Sequence, residues 1–318
     1  MVKKLLRDNE FVNLILRNVI KALVLVAKPL SRLTSLYRIY GNVNLEVCDV
    51  NFIIYSKSDD HIANEIFYHR GYEHSEFLLL KQLLKRGKYF IDVGANTGIF
   101  SIWAAKANPK LKVYSFEPHP SNFSRLIKNI SINRLTNIEA LPAALGEKSA
   151  KIEFTIPADF SISATASANE KFTENFHGIK YTNVVVPQTT IDESFSKIPL
   201  EFDDVIKIDV EYYELEVLKG ARSTLLNRRP LVIIEILQFE NLVAQFPAMQ
   251  REINKDHAIE VFDFLRAFNY HCYSIDVDGL NFIDSMENQK NRNFLFIPKK
   301  MPLRYYSFDQ LLMGLSNG

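Results

Sequence analysis

The segment Tyr89–Gly98 combines a buried strand, an acidic strand end and a tight glycine turn, and it leads into a helix that begins near Phe100. In an open α/β sheet, a small nucleotide-like ligand binds at such a turn. A dinucleotide loop has the spacing Gly-x-Gly-x-x-Gly, which lets the backbone close on a pyrophosphate. Here Asp92 precedes Gly94 and Gly98 with the spacing Asp-x-Gly-x-x-x-Gly. An acid at this position favours a ligand that carries positive charge and lacks phosphate, so the turn predicts S-adenosylmethionine (SAM) rather than NAD.

A second acidic residue ends the next predicted strand. Glu117 lies 25 residues after the first acid, close to the offset at which a carboxylate of a βαβ unit binds a ribose diol. Pro118 then breaks the strand, and Ser121 or Asn122 is expected to cap the following helix. The alternative is an ordinary strand-to-helix turn with a surface glutamate whose hydrogen bonds are satisfied.

The chain alternates strands and helices from this point onward. Strands are predicted at 89–93, 113–117, 137–142, 205–209 and 231–235, and helices at about 75–85, 99–107, 121–133, 213–227 and 256–268. This alternation predicts a mostly parallel sheet with helices on both faces. Two late strands, His271–Ile275 and Asn293–Ile297, are expected to complete it as an antiparallel edge pair. A strand pair is predicted over Gly41–Tyr55, and Ser161–Asn175 is predicted to be a mobile loop over the site.

Three carboxylates follow two of the buried strands. Asp209 ends one strand, and Glu211 lies two residues later, so that on an extended backbone both side chains point to the same side. Glu235 ends the next strand, which predicts that all three carboxylates face one crevice. Burial among like charges raises the pKa of a carboxyl, so this cluster can supply a base that deprotonates a hydroxyl. Glu211 is the best candidate for that base, and Asp209 could instead hold the amino group of SAM.

The residues beside this cluster admit simpler interpretations. Glu214 and Glu216 lie in a first helical turn, where they offset the macrodipole. Tyr212 and Tyr213 either offer an aromatic face to a sugar or pack on the sheet edge. An oxygen cluster of this kind is compatible with magnesium, but no spacing demands it, and no metal is predicted.

Composition limits the class of partner. The 318 residues carry a net charge of +1, which argues against nucleic acid, because phosphate binding usually leaves a cationic imbalance. Cys48 and Cys272 are the two cysteines of the chain, and they form neither a disulfide framework nor a zinc pattern. A reducing compartment is the simplest interpretation, which predicts a cytoplasmic protein.

The N-terminal segment differs in composition from the rest. Residues 1–40 contain eight Lys or Arg and two acidic residues, and the apolar run from Phe11 to Leu30 is interrupted by Asn13, Arg17, Asn18 and Lys21. Such interruptions argue against a membrane-spanning helix. Two alternatives have equal weight: a basic amphipathic helix that lies on a membrane or a partner, and a helix docked on the protein's own surface.

Taken together, the motifs resemble those of the FkbM-type SAM-dependent methyltransferases over roughly residues 70–300. The matching segments are Phe90–Gly98, Phe116–Pro118, Ala143–Gly146, Thr189–Asp192, Ile206–Glu211, Glu214–Ala221, Pro230–Glu235 and Asn293–Ile297. The resemblance implies a class I (Rossmann-like) methyltransferase fold, with a seven-stranded, mostly parallel sheet whose last strand is antiparallel. The expected organisation is a helical extension at 1–40, a methyltransferase domain at 41–300 with its core at 75–300, and a tail at 301–318.

The resemblance also implies roles for particular residues. Its motif positions place cofactor contacts at Glu73, Asp92, Gly94, Asn96, Gly98, Glu117, Pro118, Ala144 and Asp209. Glu117 would hold the ribose and Ala144 would lie by the adenine, while Asp209, Glu211 and Glu235 are the catalytic candidates. The implied reaction is transfer of a methyl group from SAM to a hydroxyl on a sugar, a glycan or glycolipid, or a natural product.

One residue departs from the family pattern. The family usually has Asp-Val-Glu-Gly, whereas this chain has Tyr212 at the position of the glycine. Glycine tolerates unusual dihedral angles and leaves space beside the site, so tyrosine either fills part of the acceptor pocket or forces a different turn. This departure motivates an alternative hypothesis, in which the chain is a binding or scaffold protein that retains the fold with little or no catalytic activity.

Overall fold

A mixed β-sheet organises the computed structural model, which describes residues 9–26, 38–57, 60–69, 73–157, 168, 181–245, 253–287 and 289–299. The predicted loop Ser161–Asn175 lies outside the described residues, except for Ala168, and so does the predicted tail at 301–318.

The strands and helices follow one another in the order expected of alternating β and α units. The strands are β1 (Tyr40–Val47), β2 (Val50–Lys57), β3 (Tyr89–Val93), β4 (Lys112–Phe116), β5 (Ile138–Leu141), β6 (Ala144–Leu145), β7 (Ala150–Pro157), β8 (Tyr181–Thr189), β9 (Val205–Ile208), β10 (Leu231–Glu235), β11 (Tyr270–Asp276), β12 (Gly279–Ile283) and β13 (Asn293–Pro298). The helices are α1 (Glu10–Val26), α2 (His61–His69), α3 (His74–Leu83), α4 (Ile99–Ala107), α5 (Pro120–Ile132), α6 (Ile191–Ser194), α7 (Glu214–Lys219), α8 (Arg222–Asn227), α9 (Phe239–Gln245) and α10 (His257–Ala267).

Within the described residues, the largest sheet has eight strands in the order β12-β11-β13-β10-β9-β3-β4-β5. Strands β5, β4, β3, β9 and β10 run parallel to one another, whereas β13 is antiparallel to both of its neighbours. The five predicted parallel strands are therefore present, and so is the antiparallel last strand. Their carboxyl ends share one edge of the sheet, which is where ligands bind in open α/β folds.

The sheet is covered on both faces, as the alternation predicts. Phe90, Val205 and Leu231 pack with the residues of α3 and α4 in one hydrophobic cluster. On the opposite face, Ile206 and Val232 pack in a second cluster, together with apolar residues of α7 and α10. Strands buried on both faces are continuous apolar runs, which explains why β3, β9 and β10 were recognisable in the sequence.

The expected pair of late strands is present, but it does not form the edge of the sheet. Strand β11 pairs antiparallel with β13, as predicted. Strand β13 does not lie at the edge but between β10 and β11, and the edge is β12, an eighth strand that the sequence did not predict. The side chains of the run Phe294–Phe296 are fully buried, which is typical of a strand inside a sheet that is covered on both faces. A turn at Val277 and Asp278 reverses the chain into β12, which pairs antiparallel with β11.

The single helix predicted at 213–227 is also wrong, because α7 and α8 are separated at Gly220 and Ala221. A Cβ atom on Gly220 would lie 2.0 Å from the carbonyl oxygen of Gly146. The chain after β6 thus approaches the helix backbone directly, a long-range contact that no local pattern indicates.

Two smaller sheets flank the main one. Strands β1 and β2 form an antiparallel hairpin, in agreement with the pair predicted over Gly41–Tyr55, and β6, β8 and β7 form a three-stranded sheet. The hairpin is fixed to the main body by side chains of α4 and α5. Trp103 donates its indole N–H to the carbonyl of Val47 (3.0 Å), and Asn129 accepts from the backbone N–H of Tyr55 (2.8 Å).

Candidate active site

The glycine turn after β3 is built by backbone conformation and close packing. Gly94 and Gly98 have φ angles of 83° and 89°, in the left-handed region that favours glycine. A Cβ atom on Gly94 would lie 1.9 Å from the carbonyl oxygen of Asp209, whereas one on Gly98 would meet the Leu126 side chain at 2.4 Å. The backbone N–H of Gly94 donates to Phe116 O (3.0 Å). The turn is thus held between the ends of β4 and β9.

Asp92 lies beneath this turn rather than at an open mouth. Its side chain is 1% exposed, and its Oδ2 accepts a hydrogen bond from Ser101 Oγ (2.5 Å). Burial raises the pKa of the Asp92 carboxyl, while Lys207 and the hydrogen bond from Ser101 oppose the rise. The predicted acid is therefore at the site, but its contacts are with α4.

Glu117 joins the ends of two elements at the same edge. Its Oε2 accepts from the backbone N–H of Asn96 (2.7 Å), and its Oε1 accepts from the backbone N–H of His119 (2.8 Å). The residue is 4% exposed, and burial raises its pKa to about 7. Of the alternative interpretation, the surface position of the glutamate is therefore wrong, whereas its hydrogen bonds are satisfied within the turn. Each oxygen retains a second lone pair, so the carboxylate can accept from a diol as well.

The helix after Glu117 is capped differently from the prediction. His119 is the capping residue instead of Ser121 or Asn122, because its Nδ1 accepts the backbone N–H of Ser121 (3.1 Å) and Pro120 occupies the first helical turn. Burial, aided by Arg125, lowers the pKa of His119 to about 4, so the ring is neutral and can accept this bond. Pro118, which lies between Glu117 and His119 in the chain, is half-buried.

A buried lysine organises the acidic cluster after β9 and β10. Lys207 Nζ lies 3.0 Å from Asp209 Oδ2 and 4.4 Å from the centre of the Phe100 ring. Burial opposes its charge, but the carboxylates of Asp209, Glu73 and Asp92 outweigh that effect and raise the pKa of Lys207. Lys207 is a site residue that the sequence analysis missed, although a charged residue inside an otherwise apolar strand was the available signal.

Asp209 and Glu235 have opposite protonation tendencies. Burial disfavours ionised Asp209, but Lys207 and a hydrogen bond from Glu235 prevail, so the pKa of Asp209 is lowered. The pKa of Glu235 is raised well above its ordinary value by burial and by the Asp209 charge. Arg292 Nη2 contacts Glu235 Oε1 at 2.6 Å. Arg292 was also missed, since it precedes β13 and gave no local signal.

Glu211 belongs to the same cluster, but not for the reason given by the sequence. Strand β9 ends at Ile208, and Glu211 and Tyr212 have φ angles of 51° and 71°, so the backbone is not extended there. The predicted same-side geometry is therefore wrong. Burial raises the pKa of Glu211 to about 8, and the charges of Asp209 and Glu214 contribute to this rise. The carboxyl therefore interacts with the cluster.

Tyr212 adopts the left-handed conformation that glycine would take at this position. Its ring is buried and stacks on His257 with a centroid distance of 4.1 Å, and its hydroxyl donates to Asn254 O. Its backbone N–H donates to Glu214 Oε1 (3.0 Å), whose other oxygen lies 2.7 Å from His257 Nε2. Glu214 is thus a buried hydrogen-bonding residue as well as a first-turn acid. Tyr213 contacts Gln188 through its hydroxyl (3.1 Å).

The remaining predicted residues lie at two places. Glu73 precedes α3 with a φ angle of 43°, and its charge acts on Lys207 and Glu235, which places it with the acidic cluster. Ala144 lies in β6 of the smaller sheet, directly after β5, and is 6% exposed. Asn96 has a φ angle of 51° within the glycine turn. In the described part of the chain, no three His, Cys, Asp or Glu side chains are arranged to hold a metal ion.

The chain is similar to known methyltransferases. The Methyltransferase FkbM domain matches residues 92–272, which include the glycine turn and the carboxylates after β4, β9 and β10. Methyltransferase 1 of Beauveria bassiana is 24% identical over 59% of this chain and 74% of its own length. The 2-O-methyltransferase NoeI of Sinorhizobium fredii is 23% identical over 53% of this chain and 79% of its own.

A further comparison has higher identity over a shorter length. The hexuronic acid methyltransferase AglP of Haloferax volcanii is 32% identical over 46% of this chain, and the match spans 54% of AglP. Because the domain match covers more than half of the chain, the protein belongs to the FkbM methyltransferase family.

Proposed function

We propose that the protein transfers a methyl group from SAM to a hydroxyl group of a sugar or glycan. The observation that carries the proposal is the backbone contact between Gly94 and Asp209, reinforced by the hydrogen bond from Asp209 N to Val93 O (3.0 Å). This contact joins the predicted cofactor turn to the acidic cluster in which a hydroxyl can be deprotonated. A ligand held by the turn would lie beside the residues that act on the acceptor.

The residues at this edge fit SAM by charge. SAM supplies an electrophilic methyl group on a positively charged sulfonium, and several carboxylates surround the turn with no phosphate-binding glycine pattern. We assign the turn Gly94–Gly98 to the methionine part, Glu117 to the ribose hydroxyls, and Pro118 and Ala144 to the adenine side. Glu73 and Asp209 are the acids available to an ammonium group, and Asp92 supports the turn through α4.

Glu211 is the residue best suited to take a proton from the acceptor hydroxyl. A general base is most effective when its pKa lies near the working pH, and the pKa of Glu211 is raised to about 8. Asp209 suits this role less well, because Lys207 keeps it ionised and lowers its pKa. In the proposed scheme the ionised Asp209 orients Lys207. It also accepts a hydrogen bond from Glu235, which keeps its own proton.

The names of two relatives support this acceptor, one for the sugar and the other for the oxygen atom. AglP is named for a hexuronic acid, and NoeI is named as a 2-O-methyltransferase. Both names are compatible with a carboxylate that deprotonates a hydroxyl. Natural-product hydroxyls are a second acceptor class from the family resemblance, which an acceptor panel separates from sugars.

The experiment combines binding and turnover. Calorimetry with S-adenosylhomocysteine measures cofactor binding, and mass spectrometry measures methylation of a panel of uronic acid glycosides, neutral sugar glycosides and aliphatic alcohols. We expect binding by the wild-type protein and methylation of a sugar acceptor. Glu211→Gln should retain binding and lose turnover, while Glu216→Gln, at a partly exposed position of α7, should retain both.

Two results would contradict the proposal. Absence of S-adenosylhomocysteine binding by folded protein would remove the cofactor assignment. Binding without methylation of any member of the panel would instead favour a binding protein that retains the fold.

A further inference from the structure

Helix α1 is attached to the protein through its polar side. Asn13 donates to Arg38 O and accepts from Tyr40 N, both at 3.0 Å. Arg17 donates to Tyr40 O (3.1 Å) and to Asn42 O (3.0 Å). Asn13 is 2% exposed and Arg17 is 6% exposed. These bonds satisfy backbone groups at the start of β1. Asn13 and Arg17, two of the polar residues that interrupt the apolar run of the sequence, therefore fix the orientation of the helix.

The opposite side of α1 is apolar and exposed. Among residues 11–22, the helix positions whose side chains the structure describes, the exposed ones are Phe11, Leu14, Ile15, Asn18, Val19 and Ala22. They follow helical spacing and form one stripe, which we call the outer face. Asn18 donates to Leu14 O (2.8 Å), so its amide N–H is bonded within the helix. No described residue of the outer face carries a charge.

The outer face concentrates exposed apolar surface. Phe11 is 70% exposed, and Leu14, Ile15 and Val19 are 44%, 50% and 50% exposed. These four account for nearly half of the large exposed hydrophobic residues in the described part of the chain, and the others are scattered singly. Isolated exposed apolar residues need no explanation, whereas a contiguous stripe marks a surface for a partner or a membrane.

The charge of the surrounding sequence selects between these occupants. Residues 1–40 contain eight basic residues and two acidic ones, and Lys3, Lys4 and Arg7 directly precede the helix. A second copy of this chain would bring two such cationic segments together. An anionic phospholipid surface instead attracts them, and an apolar stripe with basic flanks is typical of a helix that lies in the membrane interface.

None of the described helices has the length and apolar composition needed to cross a bilayer. Embedding α1 fully would break the bonds of Asn13 and Arg17 to β1. We propose that the outer face of α1 rests in the interface of a bilayer containing anionic phospholipid, while the polar side of the helix stays attached to the methyltransferase domain. The proposal does not depend on the assigned reaction.

The test is co-sedimentation of the full chain with vesicles. We expect binding to vesicles of phosphatidylcholine mixed with phosphatidylserine, weaker binding to pure phosphatidylcholine, and weakening of the former by added salt. The double variant Ile15→Ser, Val19→Ser should reduce the partition coefficient about tenfold or more, because two aliphatic side chains no longer enter the interface. A matched control, Leu226→Ser, Val277→Ser, removes two exposed aliphatic side chains elsewhere and should bind like the wild type.

Circular dichroism establishes that each variant is folded, and sedimentation velocity gives its oligomeric state. If the Ile15 and Val19 variant binds vesicles as strongly as the control variant, the outer face is not the membrane contact and the proposal is overturned. A wild-type dimer that the same two substitutions convert to monomer would also overturn it, in favour of contact between two copies. If the variant does not fold, the single substitution Phe11→Ser, at the most exposed position of the face, gives the same comparison.

Discussion

Replacement of Glu211 by glutamine tests both the electrostatics and the proposed chemistry of the site. The carboxyl has a pKa of about 8 in the folded protein and an ordinary value of 4.5 when exposed. Below pH 4.5 both states are protonated, and the group does not affect stability. Between the two values the folded state keeps a proton that the unfolded state has released, so stability falls as the pH rises, and above pH 8 the full loss is present.

The size of this loss follows from the pKa difference. At about 1.4 kcal/mol for each pH unit, the shift corresponds to at most about 5 kcal/mol. Glu211 is only partly buried, and contact with water screens its charge, so we expect about 3 kcal/mol. Glutamine carries no charge at any pH. The variant should therefore gain about 3 kcal/mol relative to the wild type when the pH is raised from about 5 to about 9.

Urea unfolding followed by circular dichroism measures this difference at the two pH values. The variant is compared with the wild type at each pH, and the two differences in unfolding free energy are then subtracted. Any cost of changed packing is the same at both pH values and therefore cancels. Glu216→Gln is the matched control, since Glu216 pairs with Lys219 at 3.3 Å on the adjoining helix, and its difference from wild type should not change comparably with pH. If the difference in unfolding free energy between Glu211→Gln and the wild type does not depend on pH, the inference that the pKa of this carboxyl is raised in the folded protein is refuted.

The same variant should show its effect in turnover. If Glu211 is the base, the wild-type rate rises with pH to a plateau above about pH 8, and the variant loses about 10²–10⁴-fold in rate. A variant with wild-type turnover and an unchanged pH profile would assign the base to another group.

Three further predictions concern the turn, the ribose site and the family departure. Gly94→Ala forces a Cβ against Asp209 O and should lower the rate about hundredfold by displacing the turn, as measured by single-turnover assays. Glu117→Gln should weaken S-adenosylhomocysteine binding about tenfold or more in calorimetry. Because the pKa of Glu117 is about 7, wild-type affinity should also fall as the pH is lowered through that value. Tyr212→Gly relieves a φ of 71°, worth about 1–2 kcal/mol, but loses the buried ring on His257, so thermal unfolding should show a net loss of about 2–3 kcal/mol.

The parts of the fold that depend on local sequence patterns could be predicted from the sequence. Strands β3, β9 and β10 are apolar runs that end in acids, and the turn at Gly94 has its own spacing, so the acidic sheet edge could be inferred before any coordinates. The same reasoning located Asp92, Glu117, Asp209 and Glu235 at strand ends. Their proposed roles remain predictions.

Long-range contacts explain what the sequence did not reveal. Gly220 interrupts a helix because the carbonyl of Gly146 approaches it, and β13 lies inside the sheet, where both of its faces are buried. Arg292 reaches Glu235 only once β13 is paired with β10. Lys207 is different, because its charge within an apolar strand was visible in the sequence. The hydrophobic pattern alone does not show that such a residue pairs with the acids around it.

The contact of Gly94 with Asp209 has a mechanical consequence. The carbonyl of Asp209 fills the space where a side chain on Gly94 would lie, and its N–H is bonded to Val93, so the two loops are fastened to each other at adjacent atoms. Neither loop can shift without carrying its neighbour. Occupancy of the turn is thereby communicated to the acids beside it without any hinge, which favours an ordered sequence in which the donor enters first and the acceptor meets a site already set.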